Sequence, residues 1–165
     1  MYVLSTEIID VNIENNAVKV KKARKRLRGR QITFQTPLKE LNNFVSSIRQ
    51  FGFESYIGTA YIEQYVIEPK TTNSILMEFS KEAVVTSNTC IKTESSSETD
   101  QVLAALLSDW IDFIFLFDDS KFGIYADHDE YCTFYSRKSM ELSNLKIHMS
   151  SSGFKHVPGY ERSFS

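Results

Sequence analysis

The sequence predicts an α+β fold, in which about three helices pack on a mainly antiparallel sheet of about six to eight strands. Aromatic residues make up 13% of the 165 residues, and they favour pleated, half-buried surfaces such as strands. Strand-like segments outnumber helix-like segments and do not alternate with them regularly, which argues against a doubly wound parallel sheet. The length is that of one domain, so we expect residues 1–165 to form a single globular domain.

Most of the predicted strands lie in the first 91 residues, where segments of apolar, β-branched and aromatic residues are bounded by turn-forming residues. The middle of the second of these segments is basic and could equally be a mobile loop. Thr71–Ser74 is expected to be a turn. The predicted strands are Tyr2–Ile13, Val18–Phe34, Ser55–Glu68, Ile75–Phe79 and Ala83–Ile91.

Three segments are expected to be helical. Apolar residues recur at helical spacing in Pro37–Phe51, with Thr36 as the expected N-cap and Gly52 as the expected stop. Apolar side chains of Asp100–Asp109 also share one side of a helix. The third predicted helix is Ser139–Ser150, because it starts with serine and is soon followed by glycine.

The segment 109–135 alternates aromatic and aliphatic residues with carboxylates. Trp110–Phe117 favours a strand, although the apolar stripe of the preceding helix would also continue to Phe117. With Phe122–Ala126 and Tyr131–Tyr135, this strand would form a meander. The Ser-rich stretch 93–100 before it predicts an exposed loop, and the tail after residue 153 predicts a strand or a docked extended segment.

A meander would divide the seven carboxylates of this segment into two groups. Asp118 and Asp119 fall in the first predicted turn, and residues 127–130 form the second. Successive turns lie at opposite ends of a sheet, and five residues at about 3.4 Å each separate them by roughly 17 Å. Asp118 and Asp119 are therefore expected to lie apart from the other carboxylates.

The same register would gather the other carboxylates at one sheet end. If Phe117 faces Phe122, Asp112 falls opposite Asp127. Like charges that face each other destabilise a sheet, so open solvent, a basic residue from elsewhere, a metal or a basic partner should offset the repulsion. Solvated turn residues, a protein-binding acidic face and a metal or catalytic site are the alternatives. The candidate partner-binding residues are Asp109, Asp112, Asp127, His128, Asp129, Glu130 and Tyr131.

The net charge of −2 conceals a strong asymmetry along the chain. Residues 19–30 hold eight of the 19 basic residues and no acid, so the remainder carries 11 basic and 21 acidic residues. Such a run could neutralise several phosphates of a nucleic acid. One alternative is a solvated β-ribbon or loop, which could fold against the protein's own acidic face. Another is contact with an acidic protein surface. The candidate nucleic-acid-binding residues are Lys19, Lys21, Lys22, Arg24, Lys25, Arg26, Arg28 and Arg30.

The start of the chain and its cysteines predict a cytoplasmic protein. The first 13 residues lack the basic and long apolar regions of a secretory signal, and no apolar stretch is long enough to span a bilayer. We therefore expect Cys90 and Cys132 to be free thiols. No zinc-ligand spacing, nucleotide-binding motif or hydrolase motif occurs, so no cofactor, metal site or catalytic residue is predicted.

These observations favour a non-catalytic protein-binding module. In size, acidic character and aromatic content the chain is similar to bacterial immunity proteins, which block a cognate toxin. This similarity of general character implies a basic protein partner masked by the acidic cluster, and it carries over no individual residues. The alternatives are a nucleic-acid-binding accessory protein that uses residues 19–30, and a metal-dependent enzyme that uses the acidic turn 127–130. The oligomeric state is not predicted.

Overall fold

A computed structural model of the chain describes residues 9–10, 13–27, 29–79, 85–118 and 122–162. Within these ranges there are five helices and seven strands. In chain order they are β1 Ile9–Asp10, α1 Ile13–Arg26, β2 Arg30–Gln35, α2 Leu41–Gln50, β3 Gly58–Tyr65, α3 Lys70–Phe79, β4 Cys90–Lys92, α4 Ser96–Ser108, β5 Ile111–Phe117, β6 Gly123–Ala126, β7 Tyr131–Ser136 and α5 Ser139–Ser151.

The seven strands form one sheet in the order β1-β4-β3-β5-β6-β7-β2. Every pair of neighbouring strands is antiparallel. Six of the strands have three or more residues, and β1 has two. The predicted α+β class with a mainly antiparallel sheet is therefore confirmed, and the described helices exceed the expected number by two.

Both faces of the sheet are covered by helices. The side chains of β5 point alternately to the two faces, and each face has its own apolar cluster. Phe113, Phe115 and Phe117 join the larger cluster, which includes residues of α2, α3, α4 and α5. Ile114 and Leu116 join the smaller cluster under α1. All seven residues of β5 are buried, and each fully buried large apolar side chain contributes about 1.5–3 kcal/mol. Strand β5 is thus the centre of the fold.

The basic run contains a helix and not the β-ribbon or loop predicted for residues 19–30. Val20, Ala23 and Leu27 are buried. Val20 and Ala23 lie on one side of α1, and Leu27, directly after the helix, continues this stripe at a spacing of four residues. Gly29 then turns the chain into β2 with a φ of 103°, and a Cβ at this position would lie 2.6 Å from the backbone oxygen of Ser136. Only the end of the predicted strand Val18–Phe34 is therefore a strand.

The Ser-rich stretch 93–100 is not an exposed loop, because α4 begins inside it. The Ser95 hydroxyl caps the helix by accepting a hydrogen bond from the Glu98 amide at 3.1 Å, and the Glu98 carboxylate accepts one from the Glu94 amide at 2.6 Å. These are the contacts of a capping box displaced by one residue. Thr99 is completely buried, so the stretch belongs partly to the core.

Several element boundaries differ from the prediction. Helix α3 replaces the expected turn Thr71–Ser74 and strand Ile75–Phe79, and α2 begins at Leu41 without using Thr36 as its cap. Strand β3 covers the middle of the predicted strand 55–68, and β4 begins at Cys90, near the end of the predicted strand 83–91. Within the first predicted strand, residues 9–10 form β1, residue 13 begins α1, and residues 1–8 lie outside the described part, as do residues 80–84.

Other predictions for the second half of the chain are confirmed. The change from helix to strand near Trp110 and the final helix α5 both occur as expected. The thiols of Cys90 and Cys132 are both buried and are not joined in a disulfide. Within the described ranges, no helix combines the length and the apolar character that crossing a membrane requires.

The chain after α5 is docked along β2, the last strand of the sheet. His156 forms an antiparallel bridge with Phe34, and the Val157 amide donates to the Thr33 carbonyl at 2.8 Å. This contact occupies backbone groups that an edge strand would otherwise expose. The chain then reaches Gln31, whose side chain exchanges hydrogen bonds with the backbone of Arg162. The predicted docked extended tail is confirmed for these residues.

Candidate functional site

The meander β5–β6–β7 has the predicted register. Phe113 pairs with Ala126, and Leu116 pairs with Gly123. Extending this pairing by one residue sets Asp112 opposite the beginning of residues 127–130, which we call the acidic turn. Asp112 of β5 and Asp127, which directly follows β6, therefore lie opposite each other at this end of the sheet, as the sequence predicts.

Asp112 joins three parts of the chain through hydrogen bonds. One carboxylate oxygen accepts from the backbone amide of His128 at 2.8 Å and lies 2.8 Å from its Nδ1, and the other accepts from the Gln64 amide group at 2.6 Å. Asp112 is buried, whereas the His128 side chain is 37% exposed. The hydrogen bond to Asp112 raises the pKa of His128, against a smaller lowering by desolvation.

Asp127 fixes the conformation of the acidic turn. One of its oxygens accepts from the backbone amides of Asp129 at 3.0 Å and Tyr131 at 3.3 Å, which is the hydrogen-bonding habit that makes Asp common in turns. The other oxygen forms an ion pair with the Arg162 guanidinium, which lies 4.2 Å from the ring centroid of Tyr125. The repulsion expected at this sheet end is thus offset by His128 and by a basic residue of the tail.

Asp109 has a different function in the fold from the one predicted. It ends α4, and its carboxylate accepts hydrogen bonds from the backbone amides of Thr71 at 3.2 Å and Thr72 at 2.5 Å. Those amides belong to the first turn of α3, where a carboxylate satisfies free donors and complements the helix dipole. Asp109 is buried, so it is not part of the acidic turn's exposed surface.

The exposed part of the acidic turn is small and well defined. The Asp129 side chain is 70% exposed, and Glu130 is half-buried with a φ of 66°. The Glu130 carbonyl accepts a hydrogen bond from the Thr36 amide at 2.8 Å. Tyr131 is half-buried and packs against the ring of Tyr160, with a centroid distance of 4.7 Å. Asp129, Glu130, Tyr131 and the His128 ring are therefore the predicted binding residues that a partner could reach.

A row of exposed apolar residues lies beside this turn. Tyr65, Val66 and Ile67, which we call the apolar row, are 41%, 54% and 54% exposed. Gln64 pairs with Asp112 in the sheet and also donates to its carboxylate. Since neighbouring strands are about 4.8 Å apart, the backbones of Gln64, which precedes the apolar row, and of Asp127 in the acidic turn lie about 10 Å apart on either side of β5.

The sequence does not predict the apolar row, since these residues were assigned to the interior of the strand Ser55–Glu68. The strand ends at Tyr65 because its partner β5 begins at Ile111. A register shift between Ile62 and Gln64 marks a bulge in β3, which re-aims side chains. A local signal of the row is the loss of alternation between apolar and polar residues before Pro69. Proline cannot donate a hydrogen bond to a strand ladder, so a regular strand cannot continue through it.

The described cations of residues 19–30 form a surface of opposite charge to the acidic turn. The described cations of α1 are exposed, and Arg24 forms an ion pair with Glu63. Glu63 also accepts a hydrogen bond from the Tyr125 hydroxyl at 2.9 Å. Arg28 lies outside the described residues, and Arg30 begins β2.

Catalytic and metal chemistry find little support in the described part of the chain. No group of three or more His, Cys, Asp and Glu residues in it is arranged to hold a metal. A groove of about 620 Å³ lies between the start of α2 and the helices α3 and α4, and its described lining includes Lys39 and Glu40 but no His, Cys or Asp.

Comparisons of the chain with protein-family models, with curated proteins and with solved structures gave no match. The acidic turn with the apolar row, and the exposed cations of α1, are consequently the features from which a function can be argued.

Proposed function

We propose that the protein is a non-catalytic binding module that docks a basic protein through the acidic turn and the apolar row. The observation that carries the proposal is the exposure of three consecutive large side chains, Tyr65, Val66 and Ile67, beside a carboxylate-bearing turn. Soluble proteins rarely leave contiguous apolar side chains in water unless a partner covers them. An apolar centre with a polar, charged rim is the usual composition of a protein interface.

The rigidity of the acidic turn supports a docking role. Its backbone is held by the carboxylates of Asp112 and Asp127, and both are buried. A surface that is already ordered loses little conformational entropy when it binds, so more of the contact energy appears as affinity. Tyr131 and Tyr160, which pack against each other, offer rigid aromatic area of the kind enriched in interfaces.

The charges of this surface favour a basic partner. Asp129 is largely exposed, and Glu68, directly after the apolar row, has a side chain that is 73% exposed. Complementary charges speed association and discriminate against wrong partners. A toxin with a basic active surface would be a partner of this type, which agrees with the similarity in general character to immunity proteins.

The test is a charge reversal with a matched control. Asp129→Lys with Glu130→Lys changes the surface charge by +4, and Glu54→Lys with Glu94→Lys makes the same change at exposed acids outside the acidic turn. The partner is first captured from native cells with tagged wild-type protein, then purified for affinity measurements against each variant. We expect at least tenfold weaker binding for the first variant, equal to about 1.4 kcal/mol, and little change for the control.

A second arm tests the apolar row with Val66→Ser and Ile67→Ser in one variant. We expect this variant to lose affinity while changing the thermal midpoint little, because both residues are more than half exposed. Equal binding by wild type, charge-reversed protein and serine variant would contradict the proposal. A self-associating wild type whose dimer is broken by the serine variant would instead assign the row to a second copy of the chain.

A further inference from the structure

We propose that the outer surface of α1 is a second binding site, which holds the phosphate backbone of a nucleic acid. It is separate from the acidic turn and the apolar row, and it takes a ligand of a different class. Three features support this site. Helix α1 is anchored to the sheet, its cations are exposed, and the fold brings further cations to the end of the helix.

Helix α1 is anchored to the sheet by its apolar side. Ala23 and Leu27 belong to the buried cluster with Ile114 and Leu116, and Val20 is also buried. The contact at Leu27 is close, because a Cβ on Gly123 would lie 2.4 Å from the Leu27 Cδ2 atom. The helix is therefore a fixed platform, and its cations need no folding step before they meet a ligand.

The exposed surface of α1 is almost entirely cationic from residue 18 onwards. Between residues 18 and 26 every exposed residue except Val18 is Lys or Arg. At 100° per residue, Lys21, Lys22 and Lys25 point away from the buried stripe. Lys19 and Arg26 lie on one flank, and Arg24 lies on the other, where it contacts Glu63.

The spacing of these cations suits a nucleic acid. Residues 19–26 of a helix cover about 10 Å at 1.5 Å per residue. Duplex DNA carries one negative charge per about 1.7 Å of its axis, which gives about six charges over the same length. Without Arg24, which is paired with Glu63, the other five cations of α1 approach the charge density of the polyanion that they would face.

The fold extends this surface with cations that are distant in sequence. Arg30 pairs with Ser136 in the sheet, so the exposed residues Arg137 and Lys138 lie beside the chain that leaves α1. The approach is close at Gly29, where a Cβ would lie 3.0 Å from the Cα atom of Arg137. The Lys138 ammonium group forms an ion pair with the Glu141 carboxylate at 3.5 Å. Arg30 and Arg137 enlarge the basic surface.

The same geometry argues against an anionic membrane as the ligand. Amphipathic helices bind membranes by inserting their apolar face, but the apolar face of α1 is buried against the sheet. Lys and Arg contacts to phosphate set position without reading bases. We therefore expect binding with little sequence preference and a strong dependence on salt.

The test measures binding of a labelled 20-base-pair random duplex and a 20-nucleotide RNA by fluorescence anisotropy between 25 and 200 mM salt. The test variant combines Lys21→Gln, Lys22→Gln and Lys25→Gln. The control variant combines Lys39→Gln, Lys146→Gln and Lys155→Gln, which removes the same charge from exposed positions outside α1. Glutamine keeps helix propensity close to that of lysine, and circular dichroism checks that α1 persists.

We expect the wild type to bind both probes at 25 mM salt. If each lysine contacts one phosphate, the negative slope of log affinity against log salt becomes shallower by about 2 to 3 in the test variant. The control leaves the slope unchanged. The inference is overturned by no binding of either probe at 25 mM salt, by equal losses in both variants, or by preferential binding to vesicles of 30% phosphatidylserine. The Asp129→Lys, Glu130→Lys variant should bind nucleic acid at least as well as the wild type, which separates this test from that of the protein partner.

Discussion

Replacing Asp112 by Ala should destabilise the protein strongly, because the carboxylate holds the acidic turn to the sheet. The change removes the acceptor for the Gln64 side chain and for two donors of His128. Breaking a buried charged pair costs about 3–5 kcal/mol, and the exposure of His128 places the expected loss near the lower end, about 3 kcal/mol. For a chain of this size, that corresponds to a fall in the thermal midpoint of about 6–12 °C.

The stability lost on replacing Asp112 by Ala should also depend on pH in a defined direction. The pKa of His128 is raised in the folded state above its ordinary value of 6.5, chiefly by the hydrogen bond to Asp112. A raised pKa stabilises the folded state fully below pH 6.5, and this contribution disappears as the pH rises through the folded-state pKa. Since the His128 side chain is 37% exposed, solvent screening limits this part to less than about 1 kcal/mol.

Urea unfolding of wild type and Asp112→Ala at pH 5.5 and pH 8.5 measures both effects. The difference in the free energy of unfolding should be larger at pH 5.5, and most of it should remain at pH 8.5, because the amide and Gln64 contacts do not titrate. Asp129→Ala on the same turn is the control, and its exposed side chain should change stability by less than about 0.5 kcal/mol. A loss for Asp112→Ala below about 1 kcal/mol at both pH values would refute the role assigned to its hydrogen bonds.

Three further predictions test other contacts of the fold. Asp109→Ala should cost about 1–2 kcal/mol by uncapping α3, and hydrogen exchange should accelerate in α3 before it does in β5; uniform acceleration would contradict this. Gly58→Ala would put a Cβ 2.1 Å from the Leu116 carbonyl oxygen, so we expect a loss of about 2–3 kcal/mol and a lower urea midpoint, and an unchanged midpoint would be inconsistent with the close pairing. Burial raises the pKa of the Cys132 thiol, so a thiol reagent should label it only as fast as the protein unfolds, and faster labelling would show that the site opens locally.

The sheet centre could be predicted from the sequence because its signals are local and agree with each other. In β5, β6 and β7 the aromatic and β-branched residues favour strands, and short carboxylate-rich turns separate them. These turns also set the register, which brought Asp112 opposite Asp127 as expected. The helix-to-strand change near Trp110, where the backbone has a φ of 58°, followed from the same composition.

Two helices were missed because what stabilises them lies elsewhere in the chain. The N-terminal amides of α3 are capped by Asp109, which is 37 or more residues away, so the cap cannot be recognised from the sequence around the helix. Helix α1 buries only a narrow stripe against the sheet, and β-branched Val20 among lysines resembles a basic strand. The start of α4 was a different case, because Ser95 and Glu98 form a recognisable capping pattern that the serine-rich composition concealed.

The excess of acidic over basic residues outside residues 19–30 suggested a larger exposed acidic surface than the fold presents, because several carboxylates are buried. Of the five carboxylates predicted to form one face, three are buried, and each accepts hydrogen bonds within the fold. A buried carboxylate needs such partners because leaving its charge unpaired away from water is costly. What remains for a partner is therefore set less by net charge than by the exposed Asp129 and Glu130 beside the apolar row. The basic side differs, since a helix needs only one buried stripe and leaves its other cations in water. The two surfaces should accordingly respond independently, so that adding the three glutamines on α1 to the charge reversal at the acidic turn leaves the loss of protein binding unchanged, and the effects of the two changes on nucleic-acid affinity add.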